Sequence, residues 1–343
     1  MIPTGLISTI KAQTFYQIQK YPTVMKAVQV LGSEDSHKIV FSNSATKPSP
    51  HNDQILVKVH AAGITADEVS WPELYNSSTR IPGHDVSGIV DVLGPSYTGP
   101  LKVGQEVFAM VQADAGGGCQ AEYVLLSAEE AALKPASVSH AQAAALPIPF
   151  LTAWEAIFQH AKVQKGSKVL VTGASGAVGR VMIQLAAGVL GCQVTGLAST
   201  KHHDSLKELG ASILVDYCTP NWEDAVTDMD AVLDAVGSET LARSWKCLQP
   251  NGSIVTIADP PPPWAFGRGK PKELEQYPKV NWVYFIVTAR GEILANLDDL
   301  LNKRKIQALP VKAFAADESL EAWKYAGQRG REGKVVIEFG SNA

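Results

Sequence analysis

The pattern of hydrophobic and polar positions divides the chain into two parts. In the first part, short apolar or alternating runs predict β-strands at residues 25–31, 54–60, 86–93, 106–111 and 121–126. Proline and glycine clusters separate these runs and predict turns. Several short strands at this spacing are typical of a compact, β-rich or barrel-like unit.

The second part alternates strands with helices. Helices are predicted first at residues 141–145 and 151–160, with breaks at Pro147 and Pro149. From there the predicted strands are residues 168–172, 193–197, 212–215, 231–235, 253–257 and 282–287, and the helices between them include 177–190, 202–209 and 239–248. Such alternation predicts a parallel sheet with right-handed crossovers, so the fold class is α/β.

The remaining segments are less regular. Residues 260–278 are rich in Pro, Gly and Lys and predict a surface loop or lid. A last strand–helix–strand at residues 311–314, 318–326 and 334–338 is expected to fold back on the first part. Residues 1–24 lack acidic residues and arginine; we interpret them as an N-terminal extension, with a targeting segment as the alternative.

Composition narrows the functional classes. A chain of 343 residues with 45% hydrophobic positions is long enough for two domains with substantial cores. A formal net charge of −4 gives no basic surface for nucleic acid or anionic membranes. No apolar run reaches the roughly 18 residues that span a bilayer. The four cysteines lie far apart, as expected of reduced thiols in a cytoplasmic protein.

The strongest chemical signal is a glycine-rich turn. Residues 173–179 are Gly-Ala-Ser-Gly-Ala-Val-Gly and connect the strand at 168–172 to the helix at 177–190. In this context small residues let the backbone approach a dinucleotide pyrophosphate at the helix N-terminus. Glycine is also common in any tight turn, so the glycines alone do not predict a dinucleotide site. The prediction depends on the position of this turn, which is the first in a series of βα units.

The end of the next strand bears on which nicotinamide cofactor binds. NAD sites usually place an acidic residue here for the ribose 2′-hydroxyl. This chain instead has Ser199, Thr200 and Lys201, with no acid before Asp204. Hydroxyls and a positive charge suit a 2′-phosphate. We therefore predict NADP(H), although Ser199 and Thr200 could also cap the following helix.

Together these residues resemble the medium-chain dehydrogenase/reductase superfamily, specifically its zinc-independent quinone-oxidoreductase-like branch. The motifs that carry the resemblance lie at residues 61–64, 81–88, 103–107, 143–147, 151–154, 173–179, 209–211, 234–237 and 333–336. The resemblance implies a GroES-like catalytic domain at residues 25–150, completed by 307–343. It also implies a Rossmann domain at 151–306, with substrate and nicotinamide meeting in the cleft between them.

The resemblance also argues against zinc. Zinc-dependent members have a cysteine where this chain has Thr65, and a second cysteine in the region that is Pro-Ile-Pro-Phe at residues 147–150. Among these zinc-ligand positions, only His84 has the residue type found in zinc-dependent members. A catalytic zinc needs three protein ligands and an open position. We expect no metal and a hydrogen-bonding role for His84.

Zinc-free members deliver hydride from NADPH to quinones or to activated C=C bonds of α,β-unsaturated carbonyls, and we expect the same chemistry here. The family's Asn-Pro-x-Asp run lacks its asparagine in this chain. Candidate catalytic residues are therefore Thr65, Asp67 and Tyr75, which could donate to or orient the substrate. Asp67 could instead be a helix cap and Tyr75 a packing aromatic, and Trp71 is expected to line the pocket.

Family correspondence extends the cofactor site along the chain. It suggests Thr152 near the nicotinamide and phosphates, Tyr217 near the 2′-phosphate or adenosine, and Lys334 as either a cofactor contact or a surface lysine. The other expected contacts are Gly173, Ser175, Gly176, Ala177, Val178, Ser199, Thr200, Lys201, Ala235, Val236, Ala258 and Phe285.

Two other functions are compatible with the sequence: a zinc-free alcohol or carbonyl dehydrogenase, and a catalytically silent NADPH-binding protein. The substrate partner is expected to be a small quinone, enone or carbonyl. The strand at 282–287 could also pair with its copy in a homodimer.

The 2′-phosphate prediction is tested by Lys201→Ala. Loss of one charge-assisted contact should weaken NADPH binding by about 1.5–3 kcal/mol while changing NADH binding little. Fluorescence titration with both cofactors measures the difference. Equal weakening for the two cofactors would contradict the assignment.

Overall fold

The computed structural model describes residues 23–76, 80–112 and 117–340. The predicted extension at residues 1–24 therefore lies almost entirely outside the described residues. Within the described ranges, no helix is both long and apolar enough to cross a bilayer.

The first part of the chain forms a hairpin and a larger sheet. The hairpin pairs β1 (Val24–Ser33) with β2 (Ser36–Thr46). The sheet contains β3 (Ile55–Gly63), β4 (Asp85–Leu93), β5 (Glu106–Met110), β6 (Tyr123–Leu126) and β7 (Ala131–Leu133). The sequence pattern missed β2, because most of its residues are exposed or half-buried and form no apolar run.

Two helices lead from this sheet into the second part. They are α1 (His140–Ala143), capped by Ser139, and α2 (Pro147–Trp154), which continues as a π-helical turn at Glu155–His160. The predicted helix break at Pro147 and Pro149 is wrong. The helix begins at Pro147, because prolines are tolerated in a first turn whose N–H groups have no intrahelical acceptor.

The second part is a six-stranded parallel sheet. Its strands are β8 (Lys168–Thr172), β9 (Gln193–Leu197), β10 (Ile213–Val215), β11 (Met229–Asp234), β12 (Leu248–Thr256) and β13 (Asn281–Tyr284). The connecting helices are α3 (Ala177–Gln184), followed by a π-helical turn, α4 (His203–Glu208) and α5 (Ser238–Ser244).

The strand order β10-β9-β8-β11-β12-β13 is that of a doubly wound Rossmann sheet. The order reverses between β8 and β11, and ligands of such sheets bind at the carboxyl ends beside this point. The predicted glycine turn directly follows β8.

The C-terminal segment returns to the first sheet, as expected from the sequence. After α6 (Gly291–Leu294) and α7 (Asn296–Asn302) come β14 (Val311–Ala315), α8 (Ser319–Ala326) and β15 (Lys334–Glu338). Strand β15 pairs antiparallel with β3 and parallel with β14. The expected β-rich sheet, completed by the C-terminal segment, and the expected Rossmann sheet are both observed.

One apolar core joins the two parts. It runs from Phe108 on β5 through Leu146 and Phe150 at α2 to Val171 on β8 and Leu233 on β11, all essentially buried. Since each such side chain contributes about 1.5–3 kcal/mol on burial, this core fixes how the first sheet and the parallel sheet face each other. The cleft between them is therefore defined by packing.

The glycine turn has a steric requirement that mutation can test. A Cβ at Gly179 would lie 2.3 Å from the Gly173 carbonyl oxygen and 2.8 Å from Ala174 Cα. Gly179→Ala should therefore destabilise the protein by about 1–3 kcal/mol in urea unfolding and weaken NADPH binding. The matched Gly269→Ala places its Cβ in open space and should change stability by less than about 0.5 kcal/mol. Equal stability of the two variants would contradict the steric account.

Candidate functional site

The glycine turn forms an open helix N-terminus at the carboxyl end of β8. Gly173 has a φ of 61°, a left-handed conformation that favours glycine. Helix α3 begins after Gly176, and no side chain caps its first N–H groups. These free donors and the small side chains around them suit a pyrophosphate.

A buried carboxylate organises the neighbouring strand ends. Asp234, the last residue of β11, is fully buried and accepts hydrogen bonds from Thr172 Oγ1 on β8 at 2.5 Å and Thr256 Oγ1 on β12 at 2.7 Å. It also accepts from the Gly237 N–H at 3.0 Å. Burial raises the pKa of Asp234, and these donors partly offset that effect. The carboxylate thus ties three central strands together at the point where the strand order reverses.

Several predicted cofactor residues come together beside Asp234. A Cβ on Gly173 would lie 3.1 Å from the Val236 side chain and 3.3 Å from the Ala235 carbonyl oxygen, so the two turns are in contact. The Val236 side chain is 45% exposed. Ala258 is buried after β12, and its N–H donates to Thr256 Oγ1.

The side chains of two other predicted cofactor contacts are packed against the protein interior. The Phe285 ring packs against the His160 ring, with centroids 4.3 Å apart, so its side chain belongs to the core beneath the sheet edge. Thr152 is buried within α2.

The predicted 2′-phosphate residues lie at the far end of the same edge. Thr200 Oγ1 donates to Asp216 at 2.5 Å, and this hydrogen bond is the main cause that holds the pKa of Asp216 at about 2. Lys201 Nζ lies 3.5 Å from the Gly330 carbonyl oxygen, which places the lysine between the two domains. Ser199 makes no side-chain capping bond, and Tyr217 is 53% exposed after β10.

On the opposite wall, Lys334 belongs to a buried network. Its Nζ lies 3.0 Å from Asp85 Oδ2 and donates to Thr65 Oγ1 at 3.2 Å. Asp85 is fully buried and also accepts from the Ile148 N–H at 2.6 Å, so it anchors the start of α2. The prediction of a surface lysine is wrong, because Lys334 is only 8% exposed and paired with this acid.

His84 is held by a second buried acid. Its Nε2 lies 3.3 Å from Glu68 Oε1, and its Nδ1 donates to the Val111 carbonyl oxygen at 2.9 Å. Burial alone would lower the pKa of His84, but Glu68 raises it above the usual value. In the part of the chain that the structure describes, no three His, Cys, Asp or Glu side chains converge as metal ligands.

The catalytic candidates are spread around the cleft. Asp67 is exposed before the turn at Glu68–Ser70 and makes no side-chain capping bond. Partial loss of surrounding water raises the pKa of the Asp67 carboxyl, and the charge of Asp259 raises it further. The Tyr75 hydroxyl donates to the Val69 carbonyl oxygen at 2.7 Å, which favours the packing role for Tyr75.

Sequence reasoning missed the acids that hold this site together. Glu68 and Asp85 give no signal of burial in the sequence, since Glu68 follows another acid and Asp85 follows a histidine. Asp259, which accepts a hydrogen bond from Trp71 Nε1 at 3.0 Å, is exposed and follows β12 in the segment where the sequence predicts only a loop boundary. A buried acid becomes recognisable only through its partners.

Comparison with known proteins gives consistent similarities. A family model described as alcohol dehydrogenase GroES-like domain matches residues 51–136, and one described as zinc-binding dehydrogenase matches residues 209–337. The chain is 31% identical over 331 residues to a 2-methylene-furan-3-one reductase of Solanum lycopersicum, covering 92% of this chain and 79% of that protein.

Two further similarities concern oxidoreductases. An NADPH-dependent alkenal/one oxidoreductase, chloroplastic, of Arabidopsis thaliana is 30% identical over 303 residues, covering 84% of this chain and 73% of that protein. The solved structure of the quinone oxidoreductase from Coxiella burnetii matches with a TM-score of 0.80 and 30% identity, covering 92% of this chain and 99% of that one.

The role of Lys334 can be measured. Lys334→Met leaves the buried Asp85 carboxylate without its cation, which should cost about 3–5 kcal/mol of stability in urea unfolding. Lys324→Met removes an exposed pair with Glu321 and should cost less than about 1 kcal/mol. A stable Lys334→Met protein that has lost NADPH affinity would contradict the structural role and support a cofactor contact.

Proposed function

The chain belongs to the medium-chain dehydrogenase/reductase superfamily, and we propose that it is a zinc-independent, NADPH-dependent reductase of quinones or of the activated C=C bonds of α,β-unsaturated carbonyls. The observation that carries this proposal is the open glycine turn at the reversal of strand order, followed along the same edge by Ser199, Thr200 and Lys201. Relatives named as a methylene-furanone reductase, an alkenal/one oxidoreductase and a quinone oxidoreductase support the substrate class.

The residues present fit the cofactor. We propose that the uncapped N–H groups at the start of α3, from Ala177 and Val178, would hold the pyrophosphate, with Gly173, Ser175 and Gly176 allowing its approach. Lys201 and the hydroxyl of Ser199 would hold the 2′-phosphate, with Thr200 and Tyr217 beside them. Thr152, Ala235, Val236, Ala258 and Phe285 would surround the nicotinamide end, Phe285 through its backbone.

The chemistry follows from the cleft. When bound, NADPH supplies a hydride from C4 of its nicotinamide. The chain's own task is to orient the substrate and exclude water. The Thr65 hydroxyl accepts from Lys334 and so has its own proton to donate toward a substrate carbonyl. Because the Tyr75 hydroxyl is engaged with the backbone, Thr65 and Asp67 remain as catalytic candidates. Asp67 is exposed and is the acid of these two.

Assembly and location are part of the same proposal. We propose a homodimer that pairs along β13, because among the described residues this strand has a neighbour on only one side of the parallel sheet. The described cysteines are all free and three are buried, which supports a reducing compartment such as the cytoplasm. The domain bounds 25–150 with 307–343, and 151–306, stay predictions.

Substrate class is tested by NADPH oxidation with quinones, enones and saturated aldehydes in parallel. We expect turnover of quinones or enones and little or none of aldehydes, because the described part of the cleft offers hydrogen bonds but no clustered metal ligands to polarise an isolated carbonyl. Turnover of aldehydes alone would favour a zinc-free carbonyl dehydrogenase. NADPH binding without turnover would favour a silent binding protein.

A further inference from the structure

An arginine lies beside the glycine turn with no acidic partner. Arg180 is the fourth residue of α3, directly after Gly179, and is half-buried. Its Nε–H donates to the Ser175 carbonyl oxygen at 3.0 Å, and its Nη2 donates to Ser205 Oγ at 3.3 Å. The guanidinium therefore lies between the glycine turn and the first turn of α4.

The contact with Ser205 brings Arg180 to the turn that carries Lys201. Ser205 Oγ donates to the His202 carbonyl oxygen at 2.9 Å, so one hydroxyl contacts both this turn and Arg180. Burial lowers the pKa of His202, and the charges of Lys201 and Arg180 lower it further, which agrees with this arrangement. Arg180 on α3 and Lys201 after β9 thus bring two cations to the same region of the sheet edge.

The charge of Arg180 is not compensated by an acid. Among the described residues no carboxylate lies within salt-bridge distance of the guanidinium, and both of its hydrogen bonds go to neutral oxygens. Partial burial lowers the pKa of Arg180, and no neighbouring acid raises it. The half-buried Arg243, by contrast, has its Nη2 2.6 Å from Glu223 Oε2. Because partial burial of an unpaired cation is unfavourable, the site is stabilised by a bound anion.

The guanidinium keeps donors for such an anion. A guanidinium has five N–H groups in a fixed planar fork. The oxygens of Ser175 and Ser205 use two of them, one on Nε and one on Nη2, which leaves three. A planar fork with free donors can bind two oxygens of one phosphate at once. Arg180 is therefore chemically suited to a phosphate group.

NADPH carries two anionic groups, the pyrophosphate and the 2′-phosphate. The pyrophosphate is already assigned to the uncapped N–H groups of Ala177 and Val178. Arg180 instead contacts α4, next to the turn that carries Lys201. The 2′-phosphate is therefore the anion that suits its position. A guanidinium can also stack on an aromatic ring such as adenine, but adenine supplies no negative charge to pair with it.

We propose that Arg180 binds the 2′-phosphate of NADPH together with Lys201 and so determines the preference for NADPH over NADH. The inference rests on the proposed function, since it concerns the cofactor site of that function. It makes the preference depend on two βα units of the Rossmann sheet. One is the unit that also holds the pyrophosphate, and the other is the unit that begins with β9.

The test measures binding to the cofactor-free protein by isothermal titration calorimetry. The ligands are NADPH and NADH, and the fragments 2′,5′-ADP and 5′-AMP, which differ by the same phosphate. Arg180→Met keeps an apolar stem without the charge, and it should raise the Kd for NADPH and for 2′,5′-ADP roughly 10- to 100-fold. The Kd for NADH and for 5′-AMP should change by less than about threefold, because neither ligand carries the 2′-phosphate.

Lys207→Met is the matched control. Lys207 is an exposed cation on α4, and its loss should leave all four Kd values within about threefold, because salt screens exposed charges. Urea unfolding checks that Arg180→Met is folded. If it is not, Arg180→Gln gives the same comparison, because its amide can still donate to the Ser175 carbonyl oxygen without carrying a charge.

The outcomes separate this inference from the proposed function. Equal weakening of NADPH and NADH in Arg180→Met overturns the inference, since it is the result expected if Arg180 stacks on adenine or only connects the glycine turn to α4. Unchanged NADPH affinity overturns it as well. A wild-type protein that binds NADPH no better than NADH instead refutes the NADPH dependence itself, including the role of Lys201. Selective loss of NADPH affinity in a protein that reduces no quinone or enone refutes only the reductase activity, and the role of Arg180 stands.

Discussion

The buried carboxylate of Asp234 is the interaction on which the site depends. It accepts from Thr172 and Thr256 on the two flanking strands and from the turn at Gly237. A buried carboxylate without such donors would be costly, so the strand ends must keep this arrangement. Because the glycine turn begins at Gly173, one residue after Thr172, the same bonds also set where a pyrophosphate can lie.

The opposite wall of the cleft also depends on a buried carboxylate with hydrogen-bonding partners. Asp85 is fully buried, pairs with Lys334 from β15 and accepts from the first turn of α2. Helix α2 then enters the apolar core that also contains β8 and β11. Helix α2 and this core thus connect the two walls. Two hydrogen bonds cross the cleft between them: one joins Trp71 to Asp259, and the other joins Lys201 to Gly330.

The fold can be predicted from the sequence wherever burial produces a periodic pattern. The parallel strands and the glycine turn are predicted close to their observed bounds, because both faces of this sheet are covered. Strand β2 is not, since it has no continuous apolar face. The residues that we propose for the cofactor site are predicted from local motifs. The buried acids Glu68 and Asp85 are not, because a burial that depends on a distant partner leaves no local signal.

We propose that this cleft directs hydride from NADPH to an electron-poor carbon of a conjugated substrate without a metal. The most direct measurement follows deuterium from NADPH that carries deuterium at both C4 positions into the product of enone reduction, by mass spectrometry and NMR. We predict deuterium at the β-carbon of a saturated carbonyl product, on one face only. Deuterium at the carbonyl carbon of an allylic alcohol, or product without label, would contradict the account.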